Sequence, residues 1–108
     1  MSRTMKYRLP KLSPATMFAI EWLWNRFPKE YTSALYMPVL SWMESSTREN
    51  LAPGISIGAE LRSNVPDELI IRQDGLEIAV GLPKEILEQF GDHTVCYRDR
   101  KFFFRKDD

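Results

Sequence analysis

From Ser13 to Phe27 the apolar positions recur at helical spacing. Met17, Ile20, Trp24 and Phe27 form one stripe, joined by Phe18, Trp22 and Leu23, and this spacing predicts a helix. Ser13 is placed to accept a backbone N–H as N-cap, and Pro14 at the first helical position loses no needed hydrogen bond. Pro28 is expected to stop the helix. The polar side is narrow, essentially Glu21 and Asn25. Such a helix is expected either simply to sink against a sheet or, beyond that, to leave Trp22 or Phe18 facing a partner chain.

The pattern then changes to alternation. Thr32 to Met43 reads as a strand with both faces apolar: Leu35, Met37 and Val39 on one, Tyr36, Leu40 and Trp42 on the other. Pro38 cannot donate a ladder hydrogen bond, so an edge position or a bulge is expected there. Glu44 to Gly54 is polar and reads as the longest loop, either a functional loop or a solvated connector. Ile55 to Leu61 alternates as a half-buried strand, with Gly58 pointing to a bulge or close packing. Ser63 to Pro66 turns the chain. Leu69 to Arg72 and Leu76 to Val80 flank Gln73-Asp74-Gly75, and Asp-Gly between apolar runs is a strong hairpin signal. Pro83 to Phe90 reads as a short helix, with Gly91 suited to a left-handed position after it. Thr94 to Arg98 and Lys101 to Arg105 form a last hairpin around Asp99-Arg100.

These elements define an α+β fold, mostly β, with a long helix, about six strands and one short helix. At 108 residues the chain suits one domain, and 44% hydrophobic with 12% aromatic content is enough for a core. Residues 1–12 are read as a basic arm and 13–108 as the domain. The 15 basic and 15 acidic residues cancel, which argues against indiscriminate adhesion to nucleic acid or membrane. The cancellation hides a pattern. Residues 1–11 carry a net +4, residues 12–97 a net −6 and residues 98–108 a net +2. The single Cys forms no intramolecular disulfide and makes a reducing cytoplasm the simplest setting. No stretch is apolar for the ~20 residues a membrane span needs.

From Gly54 onward the order of signals is specific. A strand Ile55–Leu61 precedes a Pro66-Asp67 turn, then the hairpin Leu69–Val80. A short apolar helix and Gly91-Asp92 lead to Thr94-Val95-Cys96-Tyr97, and a helix opening at Leu12-Ser13 stands ahead of the whole. Over residues 13–104 this resembles the HesB-like domain, the family of A-type iron–sulfur carriers. The resemblance implies a HesB-like fold and a link to iron–sulfur assembly. It also implies one ligand Cys in the loop after the early strands and a Cys-Gly-Cys near the C-terminus. Here the matching loop, 44–54, has Ser45 and Ser46 and no Cys, and the C-terminus runs Phe-Phe-Phe-Arg-Lys-Asp-Asp. Cys96 falls where the family has a strand residue. No ligand position carries over, so a divergent member without carrier chemistry, metal or cofactor is expected.

Candidate chemistry is sparse. His93 and Cys96 would lie on opposite faces of an extended strand, which does not suit a thiolate–base pair. Cys96 reads as a small core residue and His93 as an exposed turn residue; a metal at Asp92/His93 would need distant partners. Asp67-Glu68 and the Glu85/Glu88 pair read as solvated carboxylates. No phosphate-binding glycine loop, nucleophile elbow or zinc helix motif is present. The chain is therefore read as non-enzymatic. Its best binding candidate is the basic–aromatic end, Arg98, Arg100, Lys101, Phe102, Phe103 and Phe104, since cations pair with phosphates and rings stack on bases. Nucleic acid is nevertheless the disfavoured partner, because a terminal hairpin must bury some of those rings. The favoured role is an interaction domain, self-associating as a homo-oligomer or meeting a protein partner, through Phe18, Trp22, Tyr36 and Trp42. The alternatives are a nucleic-acid-binding domain and a residual metal or iron–sulfur assembly role.

Overall fold

The structure, a computed structural model, describes residues 8–32, 34–43 and 54–106. The first seven residues and the body of the 44–54 loop, Ser45 and Ser46 included, lie outside the described residues.

The elements follow the chain as strand β1 (Lys11–Leu12), helix α1 (Pro14–Trp24), strands β2 (Tyr36–Met43), β3 (Gly54–Leu61), β4 (Ile70–Gln73) and β5 (Leu76–Gly81), helix α2 (Lys84–Phe90), and strands β6 (Thr94–Arg98) and β7 (Lys101–Arg105). Two short 3-10 turns, Arg62–Asn64 and Asp67–Leu69, connect β3 to β4. The seven strands form one mixed sheet in the order β1-β6-β7-β3-β2-β5-β4. Among the described residues the fold is thus α+β, with two helices and seven strands.

Ser13 caps α1 as the sequence predicts. Its Oγ accepts from the Thr16 backbone N–H at 3.2 Å and lies 2.9 Å from the Thr16 hydroxyl. Thr16 is fully buried, and its hydroxyl donates to the Val95 carbonyl at 2.6 Å. That bond ties α1 to β6. The helix ends at Trp24, with Asn25 as its C-cap, four residues before the expected stop at Pro28. Lys11 and Leu12, expected in the basic arm, pair in parallel with Thr94 and Val95, and Leu12 is buried in the core.

Strand β2 begins at Tyr36, because residues 34 and 35 belong to the preceding turn. It is an interior strand, paired with β3 on one side and β5 on the other. The edge position expected from Pro38 is therefore incorrect. Pro38 lies opposite Ala59, immediately before the Val39–Ser41 segment that pairs with β5, so its missing N–H falls where the parallel ladder starts. The β2–β3 register is continuous through eight pairs, with Gly58 opposite Val39, so Gly58 makes no bulge. Gly91 also departs from expectation. Its backbone is right-handed helical (φ −64°); the need for glycine is spatial, because a Cβ there would lie 2.5 Å from the Arg8 carbonyl oxygen.

The register assigns the two faces. Leu40, Trp42, Ile55, Ile57, Ile78, Val80, Val95, Phe102 and Phe104 share the side that packs with Met17 and Ile20 of α1 and Leu87 of α2. Met37, Val39, Ala79 and Cys96 lie on the opposite side. The sheet is strongly rolled. β1 and β4 are its two edges, yet the Gln73 side-chain amide in β4 donates to the Leu12 carbonyl in β1 at 3.1 Å. Edge meets edge, and the core lies inside the curl.

Candidate functional site

The outer face of α1 is set by helical geometry. Met17, Ala19 and Ile20 turn inward, so Ala15, Phe18, Glu21, Trp22 and Asn25 turn outward. Phe18 lies near the middle of this face at 70% exposure, and Trp22, one turn on, is 46% exposed. Arg26, four residues after Trp22, places its guanidinium 3.7 Å from the centre of the indole, a cation–π contact that covers one part of that ring.

The terminal hairpin splits its aromatic run between two faces. Tyr97 pairs with Phe102 and Val95 with Phe104 on the core side, while Cys96 pairs with Phe103 on the other. Phe104 stacks on Phe90 at 4.5 Å with nearly parallel rings. Phe103 faces away, with the Arg98 guanidinium 5.6 Å from its centre. Phe102, Phe103 and Phe104 therefore do not make one continuous stripe. The tip of the hairpin does meet α1. Trp22, Leu23, Tyr97, Arg100 and Phe102 line a groove of about 470 Å3. Tyr97 and Phe102 are ring neighbours within it, with centroids 4.7 Å apart. Arg98, Arg100 and Lys101 are all exposed around the tip.

This groove joins residues that the sequence placed in two separate sets: Trp22 from the self-association set, Arg100 and Phe102 from the basic–aromatic set. Tyr36 and Trp42 lie elsewhere. Tyr36 meets Tyr31 edge to face at 5.3 Å. Trp42 packs against the core and lines a smaller apolar cleft of about 230 Å3 with Phe90 and Phe103. Sequence reasoning missed Leu23 and Arg26. The i to i+4 spacing of Trp22 and Arg26 was the one available signal, since the groove otherwise depends on β6 docking beside α1.

A second cleft, of about 520 Å3, opens at the rim between the end of α1 and the β4–β5 turn, lined by Trp24, Tyr36, Arg62, Arg72 and Glu77 among others. Its charges are mutually satisfied. Arg62 Nη1 lies 2.5 Å and Arg72 Nε 2.8 Å from the two Glu77 oxygens, and Arg72 Nη2 lies 2.6 Å from Asp67 Oδ1. Hydrogen bonds from Arg62 and then Arg72 hold the Glu77 carboxyl below its ordinary range. Hydrogen bonds to Asp67 and then Glu77 raise the Arg72 guanidinium further. Both arginines are engaged by carboxylates, so the cleft has the character of an exposed ion-pair network.

His93 and Cys96 are not brought together. His93 Nδ1 lies 2.8 Å from Asp92 Oδ1, and its ring packs edge-on to Phe90 and Phe104. With 16% of its side chain exposed, His93 is more buried than its turn position predicts. Its hydrogen bond is the main reason the Asp92 carboxyl sits below its usual range. Cys96 is buried on the opposite side of the sheet from Phe104. Among the described residues, no three His, Cys, Asp or Glu side chains gather in a way that could hold a metal ion. None of the described helices is long and apolar enough to cross a membrane. Compared with protein-family models, curated proteins and solved structures, the chain matches none.

Proposed function

We propose that this chain is a non-enzymatic interaction domain that self-associates through the outer face of α1. The observation that carries the reading is the exposure of Phe18 and Trp22 at 70% and 46% on one face of that helix. Phe18 is largely and Trp22 about half open to water in the single chain, although the inner face of the same helix is well buried. Exposed apolar surface of this kind marks a contact site. Burying the exposed part of each ring favours association.

The HesB-like resemblance belongs to the same reading, as a fold kept after loss of carrier chemistry. What supports it is the order of strand, turn, Asp74-Gly75 hairpin, short helix and final strands. A reducing cytoplasm is the setting proposed for it, since the one Cys is buried and unpaired. Sedimentation equilibrium of the full chain over a wide concentration range tests the function. Reversible association is expected, weakened by Phe18→Ala with unchanged circular dichroism. A wild-type chain that stays monomeric at the highest concentration rules the function out.

A further inference from the structure

Three features meet where α1 passes the tip of the terminal hairpin. Phe18 projects from the outer face of the helix. One turn further on, Trp22 opens the groove that Leu23, Tyr97 and Phe102 complete and Arg100 borders. Arg100 itself has a left-handed backbone (φ 64°), next to Asp99 at φ 54°. The β4–β5 hairpin fills the equivalent second position with Gly75 (φ 81°). A side chain at such a position carries a steric cost that glycine avoids. Arg100 therefore occupies a position its own turn would favour for glycine, and its side chain borders the groove.

We infer that, in the self-associated form proposed above, Phe18 of each copy seats in this groove of the other copy, with Arg100 meeting the second copy's Glu21. The inference rests on the reading of α1 as the self-association face. A two-fold contact requires that residue i of one copy meets residue j of the other and that j meets i. Phe18 and Trp22 satisfy this, because they lie one turn apart on one helix face. A two-fold axis passing between them seats both phenyl rings at once. Charge agrees: Glu21 is exposed on the same face of α1, and Arg100 is the exposed cation in the groove lining. Zero net charge removes long-range repulsion between copies.

The experiment is sedimentation equilibrium of full-length Phe18→Ala, Glu21→Arg, Arg100→Glu and the double variant Glu21→Arg/Arg100→Glu. Each single variant is expected to raise the dissociation constant at least about tenfold. The double variant, with the pair reversed, is expected to return within about threefold of wild type. If wild type associates and all three single variants leave its dissociation constant unchanged, the groove is not the interface, although the chain still self-associates. If the single variants dissociate and the double variant does not recover, the Glu21–Arg100 contact is wrong. A monomeric wild type removes both the inference and the function beneath it. A labelled single-stranded RNA titrated at low salt supplies the rival outcome. Binding by a monomeric chain, abolished in Arg100→Glu, assigns the groove to nucleic acid.

Discussion

Arg100 sets backbone and side chain against each other. A left-handed residue with a Cβ is disfavoured by roughly 1–2 kcal/mol, while glycine loses more freedom on folding by roughly 0.5–1 kcal/mol. The difference gives the sign: Arg100→Gly should stabilise the single chain by about 0.5–1 kcal/mol. Guanidinium unfolding at a concentration below the association range measures it. The same variant should self-associate more weakly, so folding and association move in opposite directions. Glu77 gives a pH prediction. Its folded-state pKa is depressed below the ordinary 4.5 by Arg62 and Arg72. The stability it contributes is therefore present above the unfolded value and lost as pH falls through the folded one. Unfolding midpoints recorded downward from about pH 5 should fall less steeply for Glu77→Gln than for wild type. The pair is exposed, so the two curves should converge at high salt.

At the scale of elements, signals contained in a few neighbouring residues were legible in the sequence. Ser13-Pro14 starts α1, Asp74-Gly75 makes its hairpin, and Pro83 precedes α2, each because a local backbone requirement selects a residue type. Pairing between distant segments was not legible. Pro38 points to an edge or a bulge because nothing local reveals that β5 joins β2 just after it. Lys11–Leu12 read as arm because its partner, β6, lies at the other end of the chain. Gly91 reads from sequence as suited to a left-handed position, whereas the structural need for glycine is the closeness of the Arg8 and Leu87 carbonyls. Gly91→Ala should accordingly cost about 1–3 kcal/mol, since the Cβ meets backbone oxygens with little freedom to move aside; a lowered melting temperature checks this. The candidate site divides in the same way. The basic–aromatic hairpin could be read from residues 98–104, but not that Phe103 faces away from Phe102 and Phe104, nor that Tyr97 and Leu23 complete a groove with Trp22.

For the whole molecule, neutrality becomes a property that can be measured. With a sequence pI near 6.6 and zero net charge, copies approach without repulsion around neutral pH. The interface inferred here mixes two aromatic contacts with exposed ion pairs, so salt should weaken association only modestly. A dissociation constant that changes less than about tenfold between 50 mM and 500 mM salt is expected. A steep loss would mean that charge alone holds the copies together. The rolled sheet also fixes an order of events during synthesis. β2 and β3 are neighbours in sequence and can zip as soon as both have emerged. β1, made first, has to wait for β6, among the last strands made, before Leu12 is covered and Gln73 can reach its carbonyl. Until residues 94 and 95 are available, β1 has no strand to pair with and the curl cannot close.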